Sequence, residues 1–135
     1  MNESPNYRSD APKPTDAEVE ILSVLWQRGP SSVREVHDEI NGHKRPVGYT
    51  TVLKQMQMMH EKGLVRRDES QRAHVYAAAF GQEQTQRQLV GDLLEKAFAG
   101  SAMDLVMQAL ATRRASAEEL SQIRELLDQQ ERGGK

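Results

Sequence analysis

The sequence predicts a mainly α-helical chain with one short β-hairpin near its middle. Three observations carry that expectation. Apolar residues recur at three- and four-residue spacing through most of the 135 residues, and the period turns extended only across residues 64–77. Aromatic residues are few, so Leu, Val, Ile, Met and Ala supply the apolar volume, which suits packed helices better than a large sandwich. Glycine and proline punctuate the places where the periodic segments stop, as at Gly29-Pro30, Asn41-Gly42, Gly63 and Gly100.

Taken in order, residues 1–14 are polar and proline-bearing and read as a disordered arm. Thr15-Asp16-Ala17-Glu18 is a capping box, and behind it Val19, Leu22 and Trp26, widened by Ile21 and Leu25, form the stripe of a first helix ended by Gly29-Pro30. Ser32 with Glu35 caps a second helix whose face is Val33, Val36 and Ile40 and whose stop is Asn41-Gly42. A third helix runs from Tyr49 to Lys62, with Val52, Leu53, Met56 and Met59 inward, Thr50, Thr51, Lys54, Gln57 and Met58 outward, and Gly63 after its end. Leu64-Val65-Arg66-Arg67 and Ala73-His74-Val75-Tyr76-Ala77 then flank a polar tip of hairpin length. Two strands are too few for an independent sheet and must lie against the helices. Three short helices followed by such a ribbon describe a winged helix-turn-helix over residues 15–80.

Residues 81–131 predict three further helices. The first carries Leu89, Leu93 and Phe98, the second Leu105 and Leu110, and the third, behind Ser116-Ala117-Glu118-Glu119, Ile123 and Leu127. Fifty residues with such wide apolar faces struggle to bury them alone, so this segment is expected to be a dimerisation domain built on those seven residues. Residues 132–135 read as a disordered tail.

Composition narrows the function. A net charge of −2 advertises no polyanion partner, but the charge is unevenly placed: residues 44–72 hold seven bases against three acids, and both flanks are net acidic. The absence of cysteine excludes disulfides and thiolate chemistry. No apolar run approaches a membrane span or a signal peptide, so a cytoplasmic protein without membrane insertion is expected. No phosphate-binding glycine loop or nucleophile elbow occurs, and His37, His43, His60 and His74 fall in four elements at no metal-ligand spacing. Met56 and Met59 have the spacing of core filler. No enzyme, no metal and no cofactor is expected.

The third helix carries the stronger reading. In a helix-turn-helix that helix enters the major groove of double-stranded DNA, and its N-terminal side chains reach base edges. Thr50 and Thr51 offer hydroxyls and methyls there, and Lys54, one turn on, reaches guanine or phosphate. Arg66, Arg67 and Arg72 on the hairpin, with Lys44 and Arg45 at the helix entry, are then phosphate contacts. Two other classes fit the same fold. A protein-interaction module needs an apolar patch where Thr50, Thr51 and Lys54 sit; a ligand sensor needs polar groups on the inner faces of the last three helices.

Thr15-x-x-Glu18-x-x-Ile21-x-x-Val24-Leu25-Trp26, Tyr49-Thr50-Thr51-Val52, Glu61-Lys62-Gly63-Leu64-Val65 and Arg72-x-His74-x-Tyr76 together resemble the penicillinase-repressor (BlaI/MecI/CopY) transcriptional regulators, across residues 15–130. The resemblance implies an N-terminal winged helix, a C-terminal dimerisation domain and repression by a homodimer on a palindromic operator. It implies DNA contacts at Thr50, Thr51 and Lys54 and a wing contact at Arg72, and Tyr49, which opens the same motif, is expected to bind DNA with them. The chain departs from the family in lacking the Cys-x-Cys pair of its copper-responsive branch. Met58 stands where an arginine is common, and Asp92-Leu93 where β-lactam repressors are cleaved at Asn-Phe. A membrane metalloprotease receptor encoded nearby would point to proteolytic relief.

Overall fold

The computed structural model describes residues 11–43 and 46–133, and the chain divides into two compact units between Asp92 and Leu93. The first unit opens with α1 (Asp16–Arg28), in which both halves of the capping box form: the Thr15 hydroxyl accepts from the Glu18 amide at 3.2 Å and Glu18 accepts from the Thr15 amide at 2.9 Å. Its buried stripe is Ile21, Leu22, Val24 and Leu25, while Val19 and Trp26 lie at the margin.

The wing is larger than the expected two-stranded ribbon. Ser31–Ser32 forms a short strand, β1, which pairs antiparallel with β3 (Val75–Ala78), and β3 pairs in turn with β2 (Val65–Asp68), in the order β1-β3-β2. Ser31 sits opposite Tyr76 and Ser32 opposite Val75. Two residues leave no periodic trace in a sequence, and this strand exists because it satisfies the free edge of β3. Ser32 still opens α2 (Val33–His43) by accepting from the Glu35 amide at 3.2 Å, with Glu35 reaching back at 2.9 Å.

α2 continues through Asn41-Gly42, where a stop was expected. The Asn41 side chain accepts from the Val47 amide at 2.8 Å, so its carbonyl oxygen is used beyond the helix and not to end it. α3 (Tyr49–Lys62) has the expected bounds, and Gly63 closes it at φ +87°, a left-handed conformation that other residues adopt at a cost. The core of the unit joins Ile21, Leu22 and Leu25 of α1, Val33, Val36 and Ile40 of α2, Val52, Met56 and Met59 of α3, and Leu64, Val65 and Tyr76 of the wing. Three helices and a ribbon thus share one apolar centre, which fixes the outward face of α3.

Part of the expected disordered arm is ordered against the next helix, α4 (Gln82–Phe98). Gln88 Nε2 donates to the Ala11 carbonyl at 2.9 Å, Lys13 pairs with Asp92 at 3.0 Å, and Pro14 is buried. Trp26 Nε1 donates to the Phe80 carbonyl at 3.0 Å, holding the chain where it enters α4. The first part of α4 therefore belongs with the winged helix, although the sequence places the division at residues 80 and 81.

The second unit contains the end of α4, α5 (Ala102–Thr112) and α6 (Ala117–Gly133), capped by Ser101 and Ser116 through the amides of Asp104 and Glu119. Arg132 and Gly133 continue α6 where a frayed tail was expected. No residue of α5 or α6 is buried. Among the described residues no helix is long and apolar enough to cross a membrane.

Candidate nucleic-acid interface

The N-terminal half of α3 is exposed on one side because its other side fills the core. Val52, Met56 and Met59 are fully buried, and the helical period turns Thr50, Thr51, Lys54, Gln57 and Met58 to solvent. The N-cap is Gly48, with no side-chain cap, so neither threonine hydroxyl is used to start the helix.

On the wing, Arg66 and Arg72 are exposed. Arg67 differs: it lies opposite Tyr76 in the ladder, and its guanidinium donates to Glu69 at 2.6 Å. Interactions with Tyr76 and with Glu69 hold the guanidinium in its charged form and raise its pKa. Asp68 takes a hydrogen bond from the Ser70 amide at 2.9 Å, which shapes the turn and holds its carboxyl below the usual aspartate value. Lys44 and Arg45 lie outside the described residues.

Tyr49 and Arg34 add a feature that the sequence did not announce. The Arg34 guanidinium carbon lies 5.3 Å from the centroid of the Tyr49 ring, and His37 meets that ring edge-on at 5.7 Å. Arg34 is a lone base early in α2, and only the fold brings it to the first residue of α3. Between the start of α2, α3 and the wing lies a groove of about 470 Å³ whose lining includes Arg34, Tyr49, Gln57, Arg72 and His74. Among the described residues no group of three or more His, Asp and Glu is placed to hold a metal ion.

The seven residues expected in the dimer interface are not brought to one buried cluster within the chain. Leu89 falls in the first unit and is half-buried; Phe98, Leu105 and Ile123 are half-buried in the second. Leu93, Leu110 and Leu127 are exposed, as are Met103, Val106, Met107 and Leu126, which are not among those seven.

A helix-turn-helix closed by a β-wing, with a polar and basic face on its third helix, defines the class of winged-helix DNA-binding regulators. Similarity to known proteins makes that class specific. The family model described as penicillinase repressor matches residues 14–129, and the chain belongs to that family of transcriptional regulators. It is 30% identical over 119 residues to a protein named transcriptional regulator BlaI in Mycobacterium tuberculosis, in strains CDC 1551 / Oshkosh and ATCC 25618 / H37Rv, covering 87% of this chain and 85% of each relative. The solved complex structure of hsRosR-S4 shares the fold at 19% identity, with a TM-score of 0.51 over 96% of this chain and 99% of that one.

Proposed function

We propose that this regulator represses transcription as a homodimer that occupies a palindromic DNA operator. The observation that carries the reading is the outward face of α3. Thr50, Thr51 and Lys54 are exposed on its first turns, with neither threonine engaged in capping and no ion pair to Lys54 among the described residues. Side chains so placed suit base edges in the major groove, with Arg66 and Arg72 against the flanking phosphates.

The second unit supports the dimer. Its helices leave Leu93, Val106, Leu110, Leu126 and Leu127 exposed in a single chain, an apolar area that a second copy of the same faces covers. A dimer places two reading heads on one duplex, so the operator carries the same two-fold symmetry, with half-sites about one helical turn, ~10 bp, or a multiple of it apart. Relief then follows from losing the dimer, whether by a cut near Asp92-Leu93, for example downstream of a membrane metalloprotease sensor, or by another route. Such a protein acts in the cytoplasm and requires no cofactor.

The test is selection from a randomised duplex pool with the full-length protein, followed by sedimentation of the protein alone and on the selected site. The expected result is a palindromic consensus bound by two copies. Recovery of no sequence preference, or of a single unrepeated half-site, overturns the proposal.

A further inference from the structure

The basic residues of the first unit sort into two groups. Arg28 pairs with Glu35 at 3.6 Å and Glu39 at 3.7 Å, Lys62 with Glu18 at 2.6 Å, Arg67 with Glu69 at 2.6 Å, and Lys13 with Asp92 at 3.0 Å. Arg34 and Arg72 belong to the other group: both are exposed, and neither has a carboxylate partner among the described residues. They line the same groove from opposite elements, Arg34 from the start of α2 and Arg72 from the wing.

Three properties of that groove point to its ligand. No carboxylate lines it, so a basic pair is left without an internal counterion. Further hydrogen-bonding side chains accompany the pair, namely Ser32, Gln57 and His74. Arg34 is also held: the Tyr49 ring lies beneath its guanidinium, and that ring is braced at its edge by His37, whose Nε2 lies 2.7 Å from Asn41 Nδ2. A cation resting on an aromatic face keeps its N–H fork free for a planar or tetrahedral oxyanion while losing less rotamer freedom on binding.

We propose that the groove is a phosphodiester seat, in which Arg34 and Arg72 grip one backbone phosphate of the DNA strand from both sides and Tyr49 is the positioning residue for Arg34. This rests on the DNA-binding reading and deepens it. The wing and the helix-turn-helix then engage one phosphate jointly, so the seat sets the register of α3 without reading sequence.

Because a phosphate contact ignores sequence, a mixed-sequence duplex of about three helical turns, ~30 bp, is a sufficient probe. Full-length wild type, Arg34→Ala, Arg34→Lys, Tyr49→Phe and Tyr49→Ala are titrated against it between ~50 and ~200 mM salt. Arg34→Ala is expected to weaken binding about tenfold, as for a hydrogen bond to a charged group, and Arg34→Lys to restore only part of it. The plot of log affinity against log salt should flatten by ~0.9 for each seat lost. Tyr49→Phe keeps the ring and should keep the slope. Tyr49→Ala should reproduce the Arg34→Ala defect with an unchanged helical signal, and a wild-type slope in Tyr49→Ala overturns the positioning role.

The failures are distinguishable. Wild-type protein with no affinity for the duplex overturns the DNA reading and the seat with it. Wild-type binding with an unaltered slope in Arg34→Ala overturns the seat alone. Inorganic phosphate, followed by NMR of the Arg34 and Arg72 side chains, is the second arm. Saturable phosphate binding that Arg34→Ala abolishes, together with an unaltered DNA slope, assigns the groove to a free anion and overturns the DNA strand as its occupant.

Discussion

Lys62 Nζ lies 2.6 Å from Glu18 Oε2, joining the last turn of α3 to the first turn of α1. The Glu18 carboxylate is almost fully enclosed and also accepts from the Thr15 amide. Burial on its own pushes the Glu18 pKa up. The hydrogen bond from Lys62, with those from Thr15, outweighs burial and holds the carboxyl below its ordinary value of about 4.5. A depressed carboxylate stabilises the fold above its unfolded-state pKa and ceases to do so as pH falls through the folded-state one.

Wild-type protein should therefore lose stability as pH drops below about 4.5, and Glu18→Gln should show a flatter profile over the same window. At neutral pH, Glu18→Gln removes a partly buried ion pair, and a cost of ~1–3 kcal/mol is expected. Thermal melts of both proteins between neutral and acidic pH check this. Parallel profiles would mean that the pair contributes nothing that depends on ionisation.

Trp26→Phe should cost ~1 kcal/mol beyond the change in packing, because it leaves the Phe80 carbonyl without its indole donor. The bond ties α1 to the junction between the wing and α4, so the loss should appear first as faster amide exchange around Phe80 and Thr85. Unchanged exchange there would show that the junction is held by packing alone.

Much of the winged helix was legible because its signals are local. Thr15 with Glu18 and Ser32 with Glu35 form the caps that their spacing implies, and Gly63 ends α3 in the left-handed conformation. The features that were not legible depend on residues distant in the chain. Ser31–Ser32 becomes a strand only because β3 has an edge to fill, and Asn41 extends α2 because Val47 supplies a donor to its side chain. Residues 11–14 look disordered until Gln88 and Asp92 of α4 come into reach. Arg34 acquires a role only once Tyr49 lies under it, and no spacing rule joins those two positions.

The outward residues of α3 should separate by the kind of contact each makes. Thr51→Ala and Lys54→Ala are expected to relax sequence preference, costing ~1–3 kcal/mol on the selected operator and much less on other duplexes. Arg72→Ala should weaken all sequences alike and flatten the salt dependence. Competition titrations with operator and scrambled duplexes distinguish the two patterns. If Lys54→Ala weakens both duplexes equally, its contact is with phosphate and not with a base.

Met58 is about half exposed on the same face, one turn beyond Lys54. Met58→Arg adds a cation where an arginine is common in the family, and it should steepen the salt dependence by ~0.9 for each phosphate gained. Stability should change little, because exposed helix positions tolerate either residue within about 0.5 kcal/mol. An unaltered slope would mean that this position faces away from the duplex.

Exposure of the apolar residues in the second unit separates folding from dimerisation. Leu93 is 48% exposed and Leu127 61% exposed in the single chain, so a charge at either position leaves the core of the winged helix intact. In a dimer the same positions are covered, and an unpaired carboxylate there costs several kcal/mol of association. Leu93→Asp and Leu127→Asp should therefore sediment as folded monomers and retain wild-type affinity for a single half-site. Their affinity for the full palindrome should fall ~10²–10⁴-fold, the gain that linking two reading heads ordinarily provides. A variant that sediments as a monomer and still binds the palindrome at full strength would show that the second copy contributes nothing to operator affinity. Repression would then have to be relieved at the DNA-contacting face itself, and a cut near Asp92-Leu93 would have no mechanism to act through.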